Sequence, residues 1–293
     1  PSSTDPVPDP VQERTPKRVR SFVLFMALVC CSGLWYDTRQ LICFRGDPMR
    51  SSKALCILSA LATALLVLSA SVAAPILCRP FYYAHIAPLD LTRYGLPVEE
   101  IRRAYGEMMD YCLGLRPDFS AGVLPASPEG AAHFADVRAL FLLDLGALVL
   151  SALVLAVLFA VSRRKKLIPA APLGHGPGFW AAAGLAAVFL TVGGLAALDF
   201  QRAFVVFHTL FFPGKTNWIF DWRTDPIILF LPEVFFRNCA LLILALLVFW
   251  CAVLIAADLW AGRLRRTRAE GSSCSGCPGC SGGKDPSCDS GKS

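Results

Sequence analysis

The sequence predicts an all-α, polytopic membrane protein: four transmembrane helices carrying a small helical extracytoplasmic head. Three observations lead there. Hydrophobic residues make up 55% of the 293 positions and charged ones 17%, with a mean hydropathy of +0.53, whereas a soluble domain of this length exposes far more charge. Four uncharged runs, 54–78, 145–162, 177–198 and 238–257, hold 25, 18, 22 and 20 residues, and crossing the hydrocarbon core takes about 20 at helical rise. Runs so long and uniformly apolar are helices rather than barrel strands, because backbone groups in lipid must pair internally. Finally, the basic clusters Arg45, Arg50 and Lys53, then Arg163, Arg164, Lys165 and Lys166, then Arg263, Arg265, Arg266 and Arg268 fall on one side of a four-span chain, which marks that side as cytoplasmic. They are topology determinants at an anionic leaflet, so the net charge of +6 implies no nucleic-acid partner.

The elements follow in order. Residues 1–20 read as a disordered cytoplasmic tail. Residues 21–53 are a short apolar segment and a basic linker. The 16 apolar residues 21–36 are short for a span, and crossing would put Arg39 to Lys53 outside; an interfacial or partly inserted helix is expected, with a fifth span as the alternative. The membrane domain is 54–260, with outer head segments at 79–138 and 199–236. In the first of these, Pro97 with Glu99 and Glu100 marks a helix start. Ile101, Tyr105 and Met108, with Tyr111 and Cys112 beyond, give that helix one apolar face. Ser127-Pro128-Glu129 starts a second helix, Ser as cap and Pro at the first helical position, running straight into the second span. The third span is expected to continue as helix through 199–212 until Pro213-Gly214 stops it. Pro232-Glu233 opens the last helix.

Residues 261–293 read as a basic, then Gly/Ser/Cys-rich cytoplasmic tail. Its Cys274, Cys277, Cys280 and Cys288 lack the two separated pairs of a zinc site, so a flexible tail dispensable for activity is expected. The twelve cysteines imply no disulfide framework, because Cys56, Cys78, Cys239 and Cys251 sit in or beside spans as small hydrophobes.

Chemistry has few places to reside. No serine elbow, H-E-x-x-H, phosphate loop or dinucleotide fingerprint occurs. The stretch 204–236 stands out instead: between two apolar runs it holds His208, Asn217, Asp221, Asp225, Glu233 and two tryptophans, and such groups beside lipid are costly and tend to be functional. Its counterpart is His133, three residues before Asp136 on one helical face, where a carboxylate could fix the imidazole tautomer. His175 is expected to be merely solvated in a cytoplasmic loop. Two chemistries fit the outer polar groups. One is a metal site of His85, His133, His208 and an aspartate, which lacks short ligand spacing. The other is acid–base work by a histidine pair on a lipid ester, its nucleophile supplied by the substrate; an imidazole pKa near 6.5 suits both roles.

Phe81-Tyr82-Tyr83, GAAHFADVRALF at 130–141 and FHTLFFPGKTNWIFDWRTDPIILFLPEVFF at 207–236 resemble the bacterial lipoprotein intramolecular transacylase family, over roughly 54–260. The resemblance implies a four-span acyltransferase of the cell membrane, active on its extracytoplasmic face and needing no cofactor or metal. It would act on a diacylated lipoprotein among membrane lipids, moving an acyl chain from the sn-2 oxygen of diacylglyceryl-cysteine to that cysteine's own α-amine. His133 and His208 carry over as the catalytic pair. Asp136 would orient His133, and Arg138, Asn217, Trp218, Asp221 and Asp225 would support the site, with Asn217 and Trp218 either shaping the loop or donating to the ester carbonyl. The segments 21–53 and the Cys-rich tail lie outside the resemblance. A non-enzymatic envelope protein binding lipid or a partner through the same head, and a metal-dependent lipid hydrolase, are the rival readings.

Overall fold

A computed structural model describes residues 50–274; the expected interfacial helix at 21–36 and Cys277, Cys280 and Cys288 lie outside the described residues. Four helices are long and apolar enough to span a membrane: α1, Lys53–Leu77; α4, Pro128–Lys165; α5, Pro177–Leu198; and α7, Glu233–Cys274, whose apolar part runs to Leu264. The protein is a multi-pass membrane protein. Helix α1 is the central one. It packs on α4, α5 and α7, and half of its most apolar window is buried, against 17% in each of the others. Small residues let the backbones approach, Ala70 and Ala73 of α1 around Leu148 of α4, and Ala182 of α5 with Leu247 and Leu254 of α7. The exposed faces carry Leu61, Leu143, Leu150, Val157, Leu190 and Leu195, the surface that hydrocarbon would cover.

The basic end is tied by a short parallel strand pair, β1 (Arg50–Ser52) with β2 (Leu167–Pro169). His175, expected to be merely solvated there, is instead bonded through Nδ1 to Asp258 at 2.6 Å and stacked on Phe179. The carboxylate of Asp258 is 1% exposed, and a charge so placed needs donors; the backbone N–H of Gly176, at 2.8 Å, is its second.

The opposite end carries the head: α2 (Arg79–Tyr83), α3 (Val98–Cys112), α6 (Phe200–Phe211) and their loops. The apolar face predicted for α3 is buried along its length, at Ile101, Tyr105, Met108, Tyr111 and Cys112, against Phe134 of α4 and Ile227, Phe230 and Phe235. Tyr82 joins distant parts of this core. Its ring stacks on Tyr105 at 3.7 Å, and its hydroxyl donates to the carbonyl of Phe230 at 2.8 Å, both in the interior. Tyr82→Phe orphans that buried carbonyl and should lower stability by about 1–3 kcal/mol in detergent melting; an unchanged midpoint would contradict this placement.

Two expectations are corrected. The third span does not continue as one helix: at Asp199 the backbone turns extended (φ −154°, ψ 92°), and the Asp199 carboxylate caps a new helix by accepting from the N–H of Arg202. An acidic cap outbids a straight continuation, and the break lets α6 take a direction of its own. The last helix also carries on to Cys274, so the first part of the expected tail is helical.

Candidate active site

Helix α4 outruns any bilayer. Its 38 residues rise about 57 Å, against about 30 Å of hydrocarbon. The surplus lies largely at the head end, where His133 stands six residues, roughly 9 Å of rise, before the apolar run that opens at Ala139. Ser127 caps this extension, its Oγ accepting from the N–H of Gly130 at 2.9 Å. Helix α6 supplies His208, turned inward and 8% exposed, while Val206, Phe207, Leu210 and Phe211 of the same helix face outward.

The two imidazoles meet. Their centroids lie 6.0 Å apart with planes at 28°, and no hydrogen bond joins them. Aromatic rings wall the pair: Phe212 touches both, Phe220 lies 5.3 Å from His133, and Phe204 and Trp218 lie 4.2 and 4.7 Å from His208. The Nδ1–H of His208 donates to the carbonyl of Phe204 at 2.8 Å. A carbonyl can only accept, so the proton sits on Nδ1 and Nε2 keeps its lone pair. Burial pushes the His208 pKa below the usual value, outweighing the opposite pull of the Phe204 carbonyl. His133 is 5% exposed, and its Nδ1 is buried without a partner.

The loop from Phe212 to Asp225 is fastened to α4 at two points. Asp136 accepts from Lys215 Nζ at 2.5 Å and from Asn217 Nδ2 at 3.1 Å. Asp225, 4% exposed, accepts from the Ser127 N–H and Oγ–H and from Thr224 Oγ1, each at 2.8 Å. Asp221 is the turn before it, its carbonyl taking the N–H groups of Thr224 and Asp225 and its carboxylate that of Arg223. Gly130 lies beneath this clamp, where a Cβ would come within 2.8 Å of the Asp225 carboxyl carbon and 3.2 Å of the Phe220 ring.

These contacts revise several roles expected of the supporting residues. Asp136 does not hydrogen-bond His133; both its oxygens serve the loop. The indole N–H of Trp218 is spent on the carbonyl of Lys215, so this side chain offers His208 a ring face and the ester no donor. Arg138 donates to the carbonyl of Arg116 and lies 4.9 Å over Tyr111, joining α4 to the head. His85 bonds the Phe81 carbonyl and packs on Phe81 and Phe235, with no ring contact to the other two histidines. Among the described residues no three His, Cys, Asp or Glu side chains converge as a metal would require. Phe212 is expected from the sequence to stand beside His208, whereas Lys215, Phe220 and Gly130 are not singled out by it. Lys215 alone left a signal, being the single lysine of the two head segments.

Four spanning helices carrying a buried, aromatic-walled histidine pair at one end make this an integral membrane protein. The model of the family described as lipoprotein intramolecular transacylase Lit matches residues 57–236, and the chain belongs to that family of membrane acyltransferases. Among solved structures, the membrane integral lipoprotein intramolecular transacylase Lit from Bacillus cereus superposes with a TM-score of 0.66 at 21% identity, over 73% of this chain and 97% of that one. Two forms of the same protein with one histidine replaced, by arginine or by alanine, give TM-scores of 0.61 and 0.59 at 20% and 21% identity, over 73% of this chain and 93% and 94% of theirs. No curated protein matches the chain.

Proposed function

We propose that this acyltransferase moves the sn-2 acyl chain of a diacylglyceryl-cysteine lipoprotein onto that cysteine's own α-amine, with His133 and His208 as the catalytic pair on the extracytoplasmic face. The observation that carries this reading is the pair itself, two buried imidazoles 6.0 Å apart on elements far apart in sequence. The amine is the nucleophile. It attacks the ester carbonyl, forming the amide C–N bond, and its proton passes to Nε2 of His208. The tetrahedral oxyanion is held by an N–H of His133. The C–O bond to the glycerol then breaks, and the proton held by His208 returns to the departing sn-2 oxygen. Atoms balance without a cofactor, and the product is an N-acyl, S-monoacylglyceryl lipoprotein.

Burial suits both steps. A pair kept neutral before reaction leaves Nε2 free to accept a proton, and excluding water keeps it from competing with the amine. The outward apolar residues of α6, with Ile219 and Trp222 of the loop, form an exposed greasy rim beside the histidines that would admit acyl chains laterally from the membrane.

Mass spectrometry of a reporter lipoprotein's N-terminal peptide, with and without the gene, tests the reading. The expected change is one O-linked acyl chain fewer and one N-acyl group more; an identical acylation pattern would end it. Because burial lowers the His208 pKa, its imidazole should titrate below about 6.5 in histidine-labelled NMR. The base is therefore neutral at pH 7 and is lost only as pH falls through that lower value. A midpoint above 6.5 would contradict the burial argument.

A further inference from the structure

The amide oxygen of Asn217 at this site has no hydrogen-bond partner among the described residues. The Asn217 amide is oriented without ambiguity, because the Asp136 carboxylate it meets at 3.1 Å accepts hydrogen bonds and cannot donate them, so Nδ2 must face Asp136. The amide oxygen is thereby turned the other way, buried and without a donor. A buried acceptor left unmade costs about 1–3 kcal/mol, and native proteins rarely keep one without a reason. The next residue, Trp218, lies against His208, and Asp136 stands one helical turn from His133, whose own Nδ1 is likewise buried and unpartnered. Asn217 is therefore bracketed by two neighbours of the imidazole pair, Trp218 against His208 and Asp136 one turn from His133.

We propose that Asn217 Oδ1 is the binding group for the substrate's α-amine, accepting one of its two N–H bonds while the other is surrendered to His208. This rests on the acyl-transfer reading above and adds to it the recognition of the nucleophile. A primary amine has two N–H bonds and one lone pair; fixing one N–H and aiming the second at Nε2 leaves the lone pair directed at the ester carbon. The choice of an amide has a physical reason. A carboxylate at the same place would stabilise the ammonium form and raise the amine's pKa, removing the lone pair the reaction needs. An amide oxygen holds the amine and carries no charge. Locking Nδ2 on Asp136, itself held by Lys215, keeps the amide from rotating and offering its donors to the amine instead.

The test is a two-by-two comparison using purified full-length protein in lipid and a synthetic diacylglyceryl-cysteine lipopeptide, either with its primary α-amine or with that amine N-methylated. The methylated amine keeps the N–H that must be lost and lacks the one to be held. Wild-type protein should convert the primary amine faster. In Asn217→Ala the rate on the primary amine should fall, and the ratio of the two substrates' rates should shrink by about fivefold to tenfold, the worth of one N–H···O bond near 1 kcal/mol. The ratio does not depend on how much of the variant is folded. An unchanged ratio in Asn217→Ala overturns the proposal and leaves acyl transfer standing. A wild-type protein that leaves the primary lipopeptide unconverted overturns the acyl-transfer reading, and this proposal with it.

Discussion

His133→Ala and His208→Ala should each lower conversion of diacylated lipoprotein to the N-acyl form by about 10²–10⁴-fold, the usual worth of a positioned acid or base, while the protein still inserts and extracts as wild type. The two losses should not multiply. On the proposed mechanism both imidazoles serve one tetrahedral intermediate, His208 moving the proton and His133 holding the oxyanion, so removing the second partner after the first should cost little more. His208→Asn is a stricter form, since its amide N–H lies where Nδ1–H does and can keep the bond to the Phe204 carbonyl while offering no base. Near wild-type turnover in any of these proteins would sink the pair. His85→Ala makes the comparison, because among the described residues His85 packs on the rings of Phe81 and Phe235 and on neither other head histidine, and the variant should retain most of the rate.

Gly130→Ala carries the second large effect, through the clamp above it. Its added methyl would overlap the Asp225 carboxyl group and press on Phe220, and neither can move freely. Asp225 is held by three donors, and Phe220 packs against His133. The clamp must open or α4 must shift, and a displacement near 1 Å in a catalytic constellation can cost about 10²-fold. The expected result is a turnover loss of that order with faster amide hydrogen exchange across 213–225. Gly146→Ala is the control on the same helix: its methyl meets nothing within 4 Å, so rate and exchange should stay as in wild type. Equal behaviour of the two variants would contradict the clamp.

The histidines were legible because each is a polar side chain at the mouth of an apolar helix, in a chain that otherwise keeps such groups away from lipid. Their partners were not. Asp136 was read from helical spacing as the orienting carboxylate of His133, yet spacing reports only what shares a face. It could not reveal that Lys215 and Asn217, about 80 residues later, would take both of its oxygens. Trp218 and His175 fail for the same reason: their bonds run to the Lys215 carbonyl and to Asp258, and the choice between solvent and partner is made by folding. Asp225 was included for its charge, and its use is mechanical.

The sequence alone determined the membrane architecture. Lipid offers the backbone no hydrogen-bond partners, so a span must be a helix of fixed minimum length and must be apolar, and both properties are written locally. It also determined where α4 begins, because Ser127-Pro128-Glu129 is a local signal. Tertiary structure decided the rest of the site: the break at Asp199, the meeting of His133 and His208, the tautomer fixed by Phe204, and the amide of Asn217 turned by Asp136. Each depends on a contact between residues distant in the chain or on the direction a helix takes after a cap. Such contacts leave no periodic trace in sequence, because a hydrogen bond is specified by where two groups arrive.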